Sequence, residues 1–328
     1  MKAILCTHFG PPEELTLSEV PSPKPGKGQV TIAVKACGVN FPDTLLIQNK
    51  YQFKPPLPFS PGGEVAGIVL EVGENVAHVA VGQRVLALTG WGGFAEEVAA
   101  DAATVLPIPP DMDFVAASSM MYTYGTSYHA LKNRAQLQPG ETLLVLGAAG
   151  GVGLAAVQLG VLMGARVIAA ASSDEKLAIC RTLGAAETIN YSTEDLRERI
   201  KEYTAGRGVD VVYDPVGDRY TEPALRSIAW KGRYLVVGFA AGEIPKIPLN
   251  LALLKGCQIV GVFWGAFAKN EPKESQQNFK ELLYWMTEGK LSQHIHKIYS
   301  LPDAPAALRD MMERRVVGKA VVEVFGTT

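Results

Sequence analysis

The chain has little net charge, few cysteines and no long unbroken apolar run, and each shortage closes off a class of function. Lysine and arginine number 31 against 33 aspartates and glutamates, a formal net charge of −2. That balance gives no electrostatic ground for binding nucleic acid or an anionic membrane. The four cysteines, Cys6, Cys37, Cys180 and Cys257, are widely scattered. They form neither a C-x-x-C pair nor a Cys/His cluster, so neither a metal site nor a disulfide framework is expected, and a reducing, cytoplasmic setting fits. The opening MKAILCTHFGPP carries no apolar core and no cleavage site and is not expected to act as a secretion signal. The most apolar region, residues 154–171, is interrupted by Gln158, Arg166 and glycine, and reads as protein core instead of a membrane span.

What is present is a chain of 328 residues, 48% apolar and 20% charged, long enough for two domains. Its centre is GETLLVLGAAGGVGLAAVQLGVLMG, residues 140–164. Residues 143–146 are wholly apolar, as in a strand covered on both faces. A small-residue turn follows at 147–153, then a buried helix at 154–163, with Gly164 placed as its C-cap. Strand, glycine turn and helix in that order bring backbone N–H groups and the positive end of a helix dipole to one point, which suits a pyrophosphate. In the pattern G-x-G-x-x-G, Ala148 takes the first place while Gly150 and Gly153 hold the others, and a strand at 166–171 completes the βαβ unit.

Around that unit, strands are predicted at 143–146, 166–171, 187–189, 209–213, 234–237 and 258–263, with helices between them. This is the pattern of an α/β doubly wound parallel sheet in the order 3-2-1-4-5-6. Residues 1–110 are β-rich, with short strand candidates between proline- and glycine-rich turns, and predict a partly open barrel. Helices are predicted at 114–122, 126–134, 279–288 and 304–315, and a last strand at 319–324.

The end of the second strand bears on the cofactor. Sheets that prefer NAD carry Asp or Glu there to bond the ribose 2′-OH. Here the strand ends in Ser172-Ser173, and Asp174 comes late. Ser172 and Glu175 fit a capping box, so the carboxylates serve the next helix. Lys176 stands in the first helical turn, where the dipole disfavours a cation. A 2′-phosphate held by Ser172, Lys176 and Tyr191 accounts for it and points to NADPH; the alternative is a solvated surface lysine.

Together with the β-rich first part, these residues resemble the medium-chain dehydrogenase/reductase superfamily, and within it the zinc-independent quinone oxidoreductases, the zeta-crystallin-like group. The resemblance rests on GVNFPD (38–43), PGGEVAGIVLEVG (61–73), GGFAEEV (92–98), YGTSYHAL (124–131), residues 140–160, GVDVVYDPVG (208–217) and VGKAVVEV (317–324). It implies a GroES-like catalytic domain at 1–122, a Rossmann NADPH-binding domain at 123–264, and a return to the catalytic domain at 265–328, with the active site between the two. Zinc-dependent members place Cys and His where this chain has Asn40 and Gly63, neither of them a zinc ligand. Val161 and Leu45 also depart from the quinone reductase pattern.

The resemblance further implies that Asn40 and Thr126 stand near the nicotinamide and that Ala149, Gly150, Gly151, Val152 and Gly153 cradle the pyrophosphate. The loop with Gly238 and Phe239, together with Phe263 and Trp264, would flank the cofactor, and Lys319 would approach it. Tyr51 would line the acceptor site, with Trp91 and Phe267 as further walls or as ordinary core aromatics. Asp43 would orient Asn40, donate through water, or be a plain surface carboxylate. Three functions remain open at this point: an NADPH-dependent quinone reductase, a reductase of the C=C bond in an α,β-unsaturated carbonyl or haloacrylate, and a non-catalytic NADPH-binding protein. A homodimer is expected, because the strand at 258–263 is apolar and lies at the sheet edge.

Overall fold

The computed structural model describes residues 1–324. The chain divides into two units, Met1–Tyr122 with the segment from Gln293 onward, and Thr123–Ser292. The second boundary falls at 293 and not at 265. The helices Trp264–Asn270 and Pro272–Thr287 stay with the second unit because they pack on its first helical stretch. Phe267 stacks on His129 with ring centroids 3.9 Å apart, Trp285 meets Tyr128 edge-on at 5.3 Å, and Lys132 pairs with Glu281 at 2.6 Å.

In the first unit the long strand Gln29–Gly38 organises a mainly antiparallel sheet. One edge pairs with Glu64–Val72 along its whole length. The other edge is shared, with Glu97–Asp101 beside Gln29–Ala33 and Lys319–Glu323 beside Ala36–Gly38. Two register shifts against Glu64–Val72 bend the sheet toward a barrel. Val30, Ile32, Val34, Val65, Val69 and Val85 fill its interior. The register matters for function: Gly38 lies between Glu64 on one neighbour and Val321 on the other. The residues just beyond Gly38 are thereby flanked by Glu64 and Lys319.

The second unit is a six-stranded parallel sheet with helices between its strands. Its strands Glu187–Asn190, Arg166–Ala171, Thr142–Leu146, Val209–Asp214, Ile228–Val236 and Gln258–Gly261 are ordered 3-2-1-4-5-6. Every residue of Thr142–Leu146 is buried, as expected where helices cover both faces. Leu144, Leu146, Ile168, Ala170 and Val212 form the centre of this core.

The helix expected at 114–122 is α-helical only over Phe114–Ala117. Ser118 and Ser119 hydroxyls donate back to the Val115 carbonyl, offering the backbone an alternative to helix. The N–H groups of Met121 and Tyr122 then donate to the Glu64 carboxylate instead of continuing the ladder. From Met121 the chain runs on as π-helical turns around a short α segment, Thr126–Tyr128. Such wide turns tend to occur where function requires them.

Candidate active site

All six strands of the second unit are parallel, so their C-terminal ends share one edge, and most of the expected cofactor residues follow those ends. After Leu146 the chain turns through Gly147, whose φ of +58° takes the tight-turn role that the pattern assigns to Ala148, a fully buried residue. The helix Gly151–Leu162 starts at Gly150, which brings no side chain to its cap. Its first turn leaves the N–H groups of Gly151, Val152 and Gly153 without carbonyl partners inside the helix. A Cβ on Gly153 would lie 2.3 Å from the Gly147 carbonyl oxygen, so only glycine allows this packing. A Cβ on Gly150 would meet nothing closer than 3.5 Å, which leaves its outer side open to a phosphate. The turn thus fits a pyrophosphate. Thr126 is held close to it, because its neighbour Ser127 hydrogen-bonds the Val152 carbonyl and the Tyr213 hydroxyl, both at 2.8 Å.

At the end of Arg166–Ala171, Lys176 Nζ donates to Ser172 Oγ at 3.3 Å. The cap of the following helix is Ser173, whose hydroxyl accepts from Lys176 N, and not Ser172. Ser172 is therefore released from the capping role that the S-x-x-E spacing gave it. Asp174 accepts from Asn190 Nδ2 at 3.2 Å, which engages one of its carboxylate oxygens. The ladder pairing of Asn190 with Ala171 sets Tyr191 beside Ser172. The ring of Tyr191 lies 4.3 Å from that of Tyr220, over which the Arg219 guanidinium sits at 5.0 Å.

The loop containing Gly238 and Phe239 is drawn in by Asp214, a buried carboxylate. The Asp214 side chain accepts from the N–H groups of Val216 and Gly217 and from the hydroxyls of Thr221 and Tyr234. Its carbonyl accepts from Val237 N and Gly238 N. Phe263 is half exposed, whereas Trp264 is buried over Gly125 and belongs to the core.

The first unit gathers a second cluster, entirely buried. Asn40 precedes the short helix Phe41–Leu46, an element that periodicity did not reveal. Its Nδ2 gives both hydrogens away, to Gly38 O at 3.1 Å and Glu64 Oε2 at 3.0 Å. Its Oδ1 accepts from Lys319 Nζ at 2.7 Å. Lys319, only 4% exposed, spends its other hydrogens on Val39 O and Glu64 Oε2. An ammonium can only donate, so Lys319 fixes which way the Asn40 amide points. Lys319 is thus a support for Asn40 and has no hydrogen left for a cofactor. Glu64 completes the set by accepting Met121 N and Tyr122 N on its other oxygen.

Asp43 is also buried, which removes the reading of a surface carboxylate. One oxygen accepts from Asn40 N at 2.7 Å and the other from Gly62 N at 3.2 Å. Burial nonetheless lifts its carboxyl to about 7, opposed by those two N–H groups and by Lys319. Cys37, fully buried nearby, has its thiol held well above the ordinary range, first by burial and then by Asp43. Tyr51 is half-buried, 5.8 Å from Phe53, and its hydroxyl is likewise pushed up by burial and by Asp43.

Comparison with known proteins settles the family. The alcohol dehydrogenase GroES-like domain matches residues 26–110 and the zinc-binding dehydrogenase domain residues 151–288. The quinone oxidoreductase-like protein 2 homolog of Nematostella vectensis is 40% identical over 324 residues, covering 98% of this chain and 88% of its own. The chain belongs to the medium-chain dehydrogenase/reductase superfamily. Within it the chain falls in the zeta-crystallin-like quinone oxidoreductase branch, and it is an NAD(P)-dependent oxidoreductase. Quinone oxidoreductase of Escherichia coli, solved with NADPH, aligns with a TM-score of 0.93 at 29% identity, over 98% of this chain and 100% of that one. CurK enoyl reductase aligns with a TM-score of 0.87 at 28% identity, over 99% of this chain and 98% of its own.

As a medium-chain dehydrogenase/reductase the chain departs from the zinc-dependent pattern in geometry as well as in residue type. A Cβ on Gly63 would lie 2.8 Å from Gly90 O and 2.9 Å from the Tyr122 hydroxyl, so a histidine has no room there. Among the described residues no group of three or more His, Cys, Asp or Glu is placed to hold a metal. Val161 lies on an exposed face of its helix, so that departure from the quinone reductase pattern falls at the surface. Phe267 stacks on His129 inside the second unit and is a core residue, while Trp91 remains 40% exposed. Sequence reasoning missed Glu64 and Asp214. Glu64 sat in the quoted PGGE and Asp214 in YDPVG, and an acid inside an otherwise apolar strand was the available signal.

Proposed function

We propose that this oxidoreductase uses NADPH to reduce a quinone, without zinc. The observation that carries the cofactor choice is the Lys176–Ser172 contact at the second strand end, with Asp174 engaged by Asn190. Ser172, Lys176 and Tyr191 would hold the 2′-phosphate, and the turn from Ala149 to Gly153 the pyrophosphate. When bound, NADPH supplies a hydride to an electron-poor carbon. Asn40 offers one remaining lone pair on Oδ1 to a ligand N–H or O–H, held in place by Lys319. Tyr51 offers a protonated phenol to the acceptor. Reduction of the C=C bond of an enone or haloacrylate is the second reading, favoured by that phenol and by the similarity to an enoyl reductase.

The same reading includes a homodimer in the cytoplasm. Ile259 on the edge strand Gln258–Gly261 is exposed, and Trp230, Leu249, Leu253, Leu254 and Phe263 add further exposed apolar surface in the same part of the chain. Pairing of that edge with its twofold copy would cover it. No helix among the described residues is long and apolar enough to cross a membrane.

The test is to follow NADPH absorbance with a panel of quinones and enones, after elemental analysis and in the presence of a chelator. Turnover of a quinone by metal-free protein is expected. Dependence on one tightly bound zinc per chain, or turnover of enones alone, would overturn the corresponding part of the reading.

A further inference from the structure

Arg219 has no carboxylate partner among the described residues, and its single hydrogen bond goes to the Tyr220 hydroxyl at 2.9 Å. A guanidinium carries five N–H groups, so four are left for a ligand. Arg226, at the end of the helix that follows, is by contrast held by Glu222 at 2.6 Å. The turn that presents Arg219 is fixed beforehand. Gly217 N donates to Asp214 Oδ1 at 2.8 Å, Asp218 holds a φ of +55°, and a short 3₁₀ turn runs over Asp218–Tyr220. Arg219 is exposed and forms part of the wall of an open cleft of about 690 Å³, so a ligand has room to reach it. Tyr191 joins it to the end of the strand Arg166–Ala171. The Tyr191 ring lies 4.3 Å from that of Tyr220, and its phenol acts electrostatically on the Arg219 guanidinium. Its N–H donates to Ala171 O, one residue before Ser172, and Ser192 Oγ donates to the Ser172 carbonyl at 2.9 Å.

The charge at that strand end is poorly balanced for an anion. Lys176 brings one positive charge, but Asp174 and Glu175 stand in the same first helical turn. A phosphate monoester carries about −1.5 to −2 at pH 7, so Lys176 alone leaves it among an excess of negative charge. A second cation restores the balance, and Arg219 is the one that the fold brings to the Tyr191–Tyr220 pair. Those two rings are too close together to admit an adenine between them, so the pair serves as a wall. We propose that Arg219 is a second reader of the 2′-phosphate of NADPH, its planar N–H groups making paired hydrogen bonds to two phosphate oxygens. The proposal rests on the NADPH reading above and adds a named residue to it. Lys176 comes from the helix after Arg166–Ala171 and Arg219 from the turn after Val209–Asp214, so the phosphate would be gripped from two separate segments.

Adenosine 2′,5′-bisphosphate and 5′-AMP differ only in the 2′-phosphate. The ratio of their affinities, measured by titration calorimetry with no nicotinamide present, therefore reads that group alone. The wild type should prefer the bisphosphate. Arg219→Ala should lower that preference about tenfold or more, as for loss of a hydrogen bond between charged groups, and leave the affinity for 5′-AMP unchanged. An unchanged preference, or an equal loss with both ligands, would overturn the proposal and leave the NADPH reading in place. Loss of the preference in Arg219→Ala but not in Lys176→Ala would support the proposal and sink the role given to Lys176. A wild type with no preference would sink the NADPH reading and the proposal with it.

Discussion

Replacing Lys319 by methionine keeps most of the side-chain volume and removes one buried charge. In the folded first unit that change leaves Glu64, fully buried, without its counter-charge, and Asn40 Oδ1 and Val39 O without their donor. Breaking a buried ion pair from one side costs about 3–5 kcal/mol, because the remaining charge cannot be solvated. Removing both charges avoids that cost, so Lys319→Met with Glu64→Gln should recover about 1–3 kcal/mol relative to the single change. Hydrogen exchange of the strand Gln29–Gly38, read by mass spectrometry, reports the opening free energy of this unit alone. A cost below ~1 kcal/mol for Lys319→Met would match an exposed pair and refute the buried lock. So would a double variant no more stable than the single one.

Asp43 gives a pH prediction. Its carboxyl is raised from 3.8 to about 7 on folding, so its contribution to stability is complete below about 3.8 and is lost as pH rises through about 7. Asp43→Asn should flatten the fall in urea midpoint between those values, and parallel curves for the two proteins would contradict the raised value. Lys176→Ala should raise the KM for NADPH by roughly 10-fold or more, a lost charge-assisted contact being worth about 1.5–3 kcal/mol, and leave that for NADH nearly unchanged; equal losses would show that Lys176 does not read the 2′-phosphate. Tyr51→Phe should lower kcat about 10²-fold for an enone and little for a quinone, whose oxygens take protons from solvent. No change with either acceptor would reduce Tyr51 to a wall. Light scattering should give a dimer mass at micromolar concentration and a monomer for Ile259→Lys, and a monomeric wild type would end the edge-pairing argument.

The parallel sheet was legible because its strands are short apolar runs punctuated by glycine, a local property that tertiary context did not override. Helix caps were less so. Ser172 and Ser173 are both capable caps, and the hydroxyl that accepts from Lys176 N is that of Ser173. The return of the chain to the first unit was misplaced because the amphipathic pattern of Pro272–Thr287 shows that one face is buried but not against what. Phe267 and Trp285 answer that only through partners more than a hundred residues away. The Asn40–Glu64–Lys319 set was hidden for the same reason. The motif residues were visible one by one, but the pairing of Lys319 with a carboxylate 255 positions earlier exists only in the folded sheet.

The burial of Cys37 bears on what this protein can survive. Quinones and enones are electrophiles that alkylate thiolates, and an enzyme that handles them is exposed to its own substrates. Cys37 lies next to the polar cluster that would receive them, but it is sealed from solvent and held as a thiol by its surroundings. Asn40, at the position where zinc-dependent relatives carry a cysteine, offers only an amide. At Cys37 the nucleophile that an electrophilic acceptor would attack is buried and kept protonated, so under the proposed reading this thiol would be spared alkylation by the substrate.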